Sequence, residues 1–388
     1  NDNTQYTGRN PVNWTLKAKN DNDDWTILAQ VSGDTTLQDE NNKTYSFVIN
    51  NDDDTAYKYF RFEVSGIQSG NVFQLSELGI YTSSDITTNY PLWVGGTRVT
   101  SENASDIFGD GKASYDVSSG TLTLNEYNCA KDGYVYDSSA ASYSAVIYAE
   151  DNLTIKLIGD NYIKNTRYFW SQNGIKVNGT LTIESESDGE LTVETSNSTS
   201  AAYCIEAKNL IINSGTVTSN SGYNNAGGDS YGVYAGSITI GQEATLISNG
   251  GSKGTGYGVQ AYSGLNVSGT LIAYGNYLGV TGQGITIQQG ASVEAAGGEY
   301  GISSYFNAPI VIDGDLSAVG TSLAVNGYVT NSVAGTGWSD VDGMNGLTDI
   351  STSTDTRTFD YKKVQFPKVK KYQLWIGTSQ VTSGNLSG

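Results

Sequence analysis

The chain has 388 residues, with 21 Lys and Arg against 40 Asp and Glu, a net charge of −19, no His and two Cys. An acidic surface repels phosphate backbones, which argues against nucleic acid as a partner. The absence of His removes every Ser–His, Cys–His and His-metal mechanism. Gly is abundant at 47, Pro scarce at 4 and Tyr frequent at 27, a turn-rich, all-β composition. No apolar run approaches the ~20 residues that span a bilayer. The chain opens on NDNTQ, so any export signal is expected to have been removed or to lie upstream. Cys129 and Cys204 are too few for a disulfide framework, and Cys204 reads as a small buried apolar residue.

Residues 1–83 form the first predicted segment. Stretches such as YKYFRFEV (57–64) alternate with period two and are rich in aromatics, the signature of strands. The acidic runs NDNDD (20–24) and NNDDD (50–54) read as turns between them. The string GRNPVNWTLKAKNDNDDWTIL (8–28), followed by YKYFRFEV and FQLSELGIY (73–81), resembles the C-terminal half of a discoidin-like, coagulation-factor type C domain. That family is a β-sandwich jelly roll and is often carbohydrate-binding. The resemblance implies a partial sandwich whose first strands have no counterpart before Asn1, with Trp14 and Trp25 in its core. It also implies Arg9 and Asn10 as loop binding residues and Glu77 of the SEL motif as a calcium ligand. Asp21, Asp23 and Asp24, or Asp52, Asp53 and Asp54, are further oxygen clusters of the kind a hard cation takes, read equally as solvated turn acids.

After a linker at 84–91 comes YPLWVGGTRVTSEN (90–103) and a hairpin-like pair, KASYDVSSGTLTLNEY (112–127). The tryptophan phrase is expected to cap the coils that follow, because an uncovered coil is an aggregation edge. It returns as YQLWIGTSQVTSGN (372–385), so the chain reads as one whole module (92–366) followed at 367–388 by a linker and the opening of a second. The run KKVQFPKVKK (362–371) is expected to be a solvated linker.

Between the two phrases one short motif recurs, anchored at Ile147, Ile175, Ile205, Val233, Val259, Val280, Ile302 and Val325. Steps of 21 to 30 residues mark a solenoid, whose units bury their apolar faces by stacking. A second apolar strand follows each anchor, as in LTIKLIG (153–159) and LNVSGTLIA (265–273). Together these give an all-β fold: a right-handed parallel β-helix preceded by a partial β-sandwich jelly roll. From LWVGGTRVTS to KKVQFP the module resembles repeats of Gram-positive anaerobe surface proteins, some described as carbohydrate-binding, pectate-lyase-like β-helices with bound calcium. The resemblance implies an extracellular, secreted or wall-attached bacterial protein of tandem modules, monomeric within a longer chain, without membrane insertion, and with calcium as a structural ion.

If each anchor points inward, the next residue points out. One outward column is then Tyr148, Lys176, Glu206, Tyr234, Gln260, Thr281, Ser303 and Asn326. The residues two further on are Glu150, Asn178, Lys208, Gly236, Tyr262, Gln283, Tyr305 and Tyr328. Flat rings stack on the C–H faces of sugars while amides and carboxylates bond hydroxyls, so Tyr148, Tyr234, Tyr262, Tyr305 and Tyr328 are candidate carbohydrate-binding residues. By the same parity Tyr203, Tyr231, Tyr257 and Tyr300 should point inward as a structural ladder. No catalytic residue is assigned; Lys176 and Lys208 with Glu206 are the nearest approach to a lyase constellation. The expected function is non-catalytic binding of a polysaccharide or host glycan, with a structural stalk or a polysaccharide lyase as alternatives.

Overall fold

The computed structural model describes residues 8–36, 45–49, 55–75, 77–81, 87–137, 143–168, 171–223, 227–369, 375–376 and 379–380. The chain divides into two compact units, 1–86 and 87–388. Asp52, Asp53 and Asp54 lie outside the described residues.

In the first unit, strand Pro11–Lys19 lies between Thr26–Val31 and Tyr59–Ile67 in an antiparallel sheet. Alternation places Trp14, Leu16 and Ala18 on its buried face. The Trp14 indole N–H donates to Asp34 Oδ2 at 2.9 Å, and its ring packs on Phe47 and Phe62. Trp25 departs from expectation. It is only half-buried and lies outside the core, flanked by the Arg61 guanidinium 4.1 Å from its ring centre and by Lys19. Among the described residues this unit holds only the one sheet.

The second unit is a parallel β-helix with three walls. Ile147, Ile175, Ile205, Val233, Val259, Val280, Ile302 and Val325 pair in one unbroken register along the first wall, all of them buried. Leu153, Leu181, Leu210, Ile238, Leu265, Ile285, Ile310 and Val329 do the same along the second. Leu191, Val217, Leu246, Leu271, Val293 and Leu316 line the third. Each such side chain stabilises the stack by roughly 1.5–3 kcal/mol relative to exposure. The stack holds because each coil's apolar stripe meets the next one directly above it.

The corner before the first wall breaks the expected parity. Cys204 and Ile205 are consecutive yet both lie in the core, as do Val146 with Ile147 and Ala324 with Val325. Most coils place glycine at that corner. A Cβ on Gly258 would meet Gly279 O at 2.5 Å, and one on Gly279 would meet Gly301 O at 2.6 Å. With two inward residues in succession, the residue before them points out. The tyrosine ladder is therefore on the outer face and not inside.

Both ends of the solenoid are capped. Strand Asn89–Val94 runs antiparallel to Tyr143–Ala149, and its Leu92 and Val94 enter the core. It begins inside the segment read as a linker. Its two-residue turn, Gly95–Gly96, has φ of +55° and +80°, the left-handed conformation that a tight hairpin requires. At the other end the first part of the lysine run forms a strand in place of the expected solvated linker, and Lys370 and Lys371 lie outside the described residues. Lys363–Phe366 pairs antiparallel with Asp315–Gly320, burying Val364 and Phe366 while Lys362 and Gln365 face water. Charged side chains on a capping strand also discourage further edge pairing. The second tryptophan phrase repeats the register of the first: Trp375 pairs with Gln380 and Ile376 with Ser379, as Trp93 does with Arg98 and Val94 with Thr97.

Candidate functional site: an aromatic outer wall

Once the corner is accounted for, the outer face of the first wall carries two columns. One runs Ala145, Asn173, Tyr203, Tyr231, Tyr257, Leu278, Tyr300, Leu323. The other runs Tyr148, Lys176, Glu206, Tyr234, Gln260, Thr281, Ser303, Asn326, in the register expected. Together they make an aromatic surface with a polar centre.

At the N-terminal end Tyr148 is 7% exposed and cannot serve as an open stacking face. Its ring stacks on Tyr136 at 4.7 Å, and Trp93 stacks on Tyr134 at 4.3 Å beside it. Tyr134 and Tyr136 come from strand Tyr134–Asp137, outside the coil repeat, which is why spacing alone gave no sign of them. Burial pushes the Tyr148 hydroxyl up, against the opposing hydrogen bond from Asn178.

The polar centre follows. Tyr136 donates to Asn173 Oδ1 at 2.9 Å, and Asn173 Nδ2 donates to Glu206 Oε2 at 2.7 Å. Glu206 also holds the Lys176 ammonium. The carboxylate and amine named as a conceivable lyase pair are thus bonded to each other, and Lys208 stands exposed.

Beyond it, Tyr203, Tyr231 and Tyr257 stack face to face, with centres 4.9 and 4.8 Å apart and planes within 9°. Tyr234 meets the first two edge-on at 5.3 and 5.0 Å and donates its hydroxyl proton to Tyr262 Oη at 3.1 Å. Tyr231 donates to Asp229 Oδ2 at 2.9 Å. Tyr300 lies in the same column but outside this three-ring stack. Burial raises the pKa of the three stacked hydroxyls, that of Tyr257 to about 12, so these groups are neutral donors at ordinary pH.

Of the other candidates, Tyr234 is half-buried, Tyr262 is 45% exposed, and Tyr305 is half-buried against Thr281. Tyr328 leaves the column. It pairs with Pro309 at the start of the second wall, because residues 305–308 form an extra turn and Gly327 turns the chain one residue earlier. In the first unit Arg9 donates to Gln74 Oε1 at 3.2 Å, Asn10 is buried and Glu77 is exposed. Asp21 is engaged by Lys58 and Tyr59, whose hydrogen bonds hold its carboxyl below the usual range. Among the described residues no three Asp, Glu, Cys or His side chains gather as a metal-binding group. Comparison with family models, with curated proteins and with solved structures gave no match.

Proposed function

We propose that this chain is a non-catalytic, extracellular carbohydrate-binding protein and that the outer face of the first wall is its glycan platform. The observation that carries the proposal is the cluster of tyrosine rings from Tyr203 to Tyr262 on the outer face of a rigid sheet, in which Tyr231 is 6% exposed between its stacked neighbours while Tyr234 and Tyr262 keep ring surface in water. It continues into a patch of Lys176, Asn178 and Glu206, with the buried Asn173 beneath it bonded to Glu206. Rings supply the flat apolar area that sugar C–H faces need, and amides and hydroxyls supply donors and acceptors. Parallel strands repeat about every 4.8 Å, close to the length of one sugar residue, so a polysaccharide chain lying along the wall meets similar groups at successive coils. Placement outside the cell belongs to the same proposal and rests on the resemblance to surface repeats.

The repeated hairpin register at Trp93 and Trp375 favours one addition: modules in tandem, each solenoid spacing the next while offering its own wall.

A glycan array tests the proposal. The wild-type chain is expected to retain a subset of glycans, and Tyr234→Ala combined with Tyr262→Ala to weaken that binding by about tenfold, from two lost aromatic contacts of about 0.5–1.5 kcal/mol each. Retention unaffected by the double substitution rules out this wall.

A further inference from the structure

Near the C-terminal end of the platform two buried polar atoms lack partners. Gln260 is 5% exposed and Thr281 0%, yet Gln260 Oε1 and Thr281 Oγ1 make no hydrogen bond. They are neighbours in the outward column. The Tyr305 hydroxyl lies against Thr281 without meeting hydrogen-bond geometry. An unpaired buried acceptor carries its full desolvation cost, so a native structure that retains two side by side calls for an explanation.

The chain beside Thr281 is itself unusual. Tyr305 opens a turn in which Phe306 and Asn307 have φ of +55° and +57°. The turn is closed by Ala308 N–H donating to Tyr305 O and by Ser304 Oγ donating to Ala308 O. A bulky residue in the left-handed region is a strained outlier, and such strain persists where the surrounding structure holds it in place, often at ligand clamps. Here it presents the Phe306 ring 88% exposed, 6.4 Å from Tyr305.

The geometry points to a sugar subsite, resting on the platform reading above: Gln260 and Thr281 are its floor, Tyr305 is a lid that swings aside, and Phe306 is the stacking face at its rim. The ligand is one neutral hexopyranose of a longer chain. A sugar hydroxyl both donates and accepts, so one hydroxyl pair satisfies Gln260 Oε1 and Thr281 Oγ1 together. Neutrality follows from the surroundings. Asp229 bonds Tyr231 and acts electrostatically on Tyr305, while Glu299 sits with Tyr277 and Tyr300. A carboxylate within electrostatic reach of Tyr305, on a chain of net charge −19, repels uronates and sulfated sugars.

Calorimetric titration of the full chain with cellohexaose, laminarihexaose and mannohexaose, with hexagalacturonate as the charged comparison, tests this. At least one neutral hexasaccharide is expected to bind and hexagalacturonate is not. Gln260→Leu should weaken binding about tenfold, the loss of one hydrogen bond. It should leave the melting temperature unchanged or higher, because it removes the orphaned acceptor; a purely structural glutamine would give a lower melting temperature and unchanged affinity. Phe306→Gly should weaken binding several-fold while relieving the strained turn, and it keeps the test open if Gln260→Leu fails to fold. Neutral sugar binding that both substitutions leave intact overturns the subsite but not the platform. Binding of hexagalacturonate alone overturns the neutral-sugar assignment, and no binding of any probe by the wild-type chain overturns the subsite, while the platform stands or falls on the glycan array.

Discussion

The two ends of the first wall's outer face use tyrosine in opposite ways. At the N-terminal end Tyr148 is packed among Trp93, Tyr134 and Tyr136 and is closed to solvent. Three coils further along, Tyr234 occupies the same column and with Tyr262 keeps ring surface in water. Backbone position and residue type are the same, so neither decides the role. The difference lies in what the cap adds: strands Asn89–Val94 and Tyr134–Asp137 bring three rings beside Tyr148. An aromatic on this wall is buried or stays contact surface according to whether rings stack on its faces, as the cap's ring does on Tyr148 and adjacent coils' rings do on Tyr231.

The sharpest test of that contrast is stability. Tyr148→Ala is expected to cost on the order of 3 kcal/mol, as for other buried aromatics cut back to alanine. Tyr262→Ala should stay within about 0.5 kcal/mol, like other surface changes. Urea unfolding of the two variants measures the gap; equal costs would erase the distinction between the ends. Phe366→Ala, in the opposite cap, should cost about 3–5 kcal/mol and increase self-association by loosening the strand that covers the last coil, which light scattering detects.

The ladder between the two ends is intermediate. Tyr231 stacks on a ring at each side, and such pairs contribute about 0.5–1.5 kcal/mol each beyond the area they bury. Tyr231→Leu keeps an apolar side chain but loses both stacks, so a destabilisation of about 1–3 kcal/mol is expected. A cost near zero would mean that the rings merely sit side by side.

These differences also mark where the sequence was legible. The eight anchors and the strands after them could be read because each coil repeats one buried pattern, and no other register buries them all. The orientation of the Tyr203–Tyr231–Tyr257 column could not be read by alternation, because period two presumes a continuous strand and the corner at Cys204 and its glycine counterparts places two residues inward in succession. Val364 and Phe366 were hidden by the lysines around them: two inward residues give too short a pattern to distinguish a capping strand from a charged tail. Tyr328 was lost to the extra turn at 305–308, which shifts the column by one strand without altering the spacing of the anchors. Gln260 and Thr281 carried no signal, since an orphaned acceptor exists only once neighbours have closed over it.

The smallest expected effect, and the most specific to the ladder, is on pH dependence. An unfolded tyrosine ionises near pH 10, whereas burial holds Tyr257 up to about 12, with Asp229 adding to the shift. A folded pKa above the unfolded one means that the folded chain retains protons the unfolded chain has released. The stabilisation is therefore fully present below about pH 10 and is lost as pH rises through about 12. Tyr203, Tyr231 and Tyr136 are pushed further in the same direction, also chiefly by burial, so Tyr257 should release its proton ahead of them. Tyrosinate absorbance should then rise in an early phase from exposed rings and a late one that coincides with loss of β-sheet circular dichroism. Tyr257→Phe keeps the stack but removes its most easily ionised hydroxyl, so its urea midpoint should fall less than that of the wild-type chain between about pH 10 and 12. Parallel declines in the two proteins would show that the ladder contributes through its rings alone.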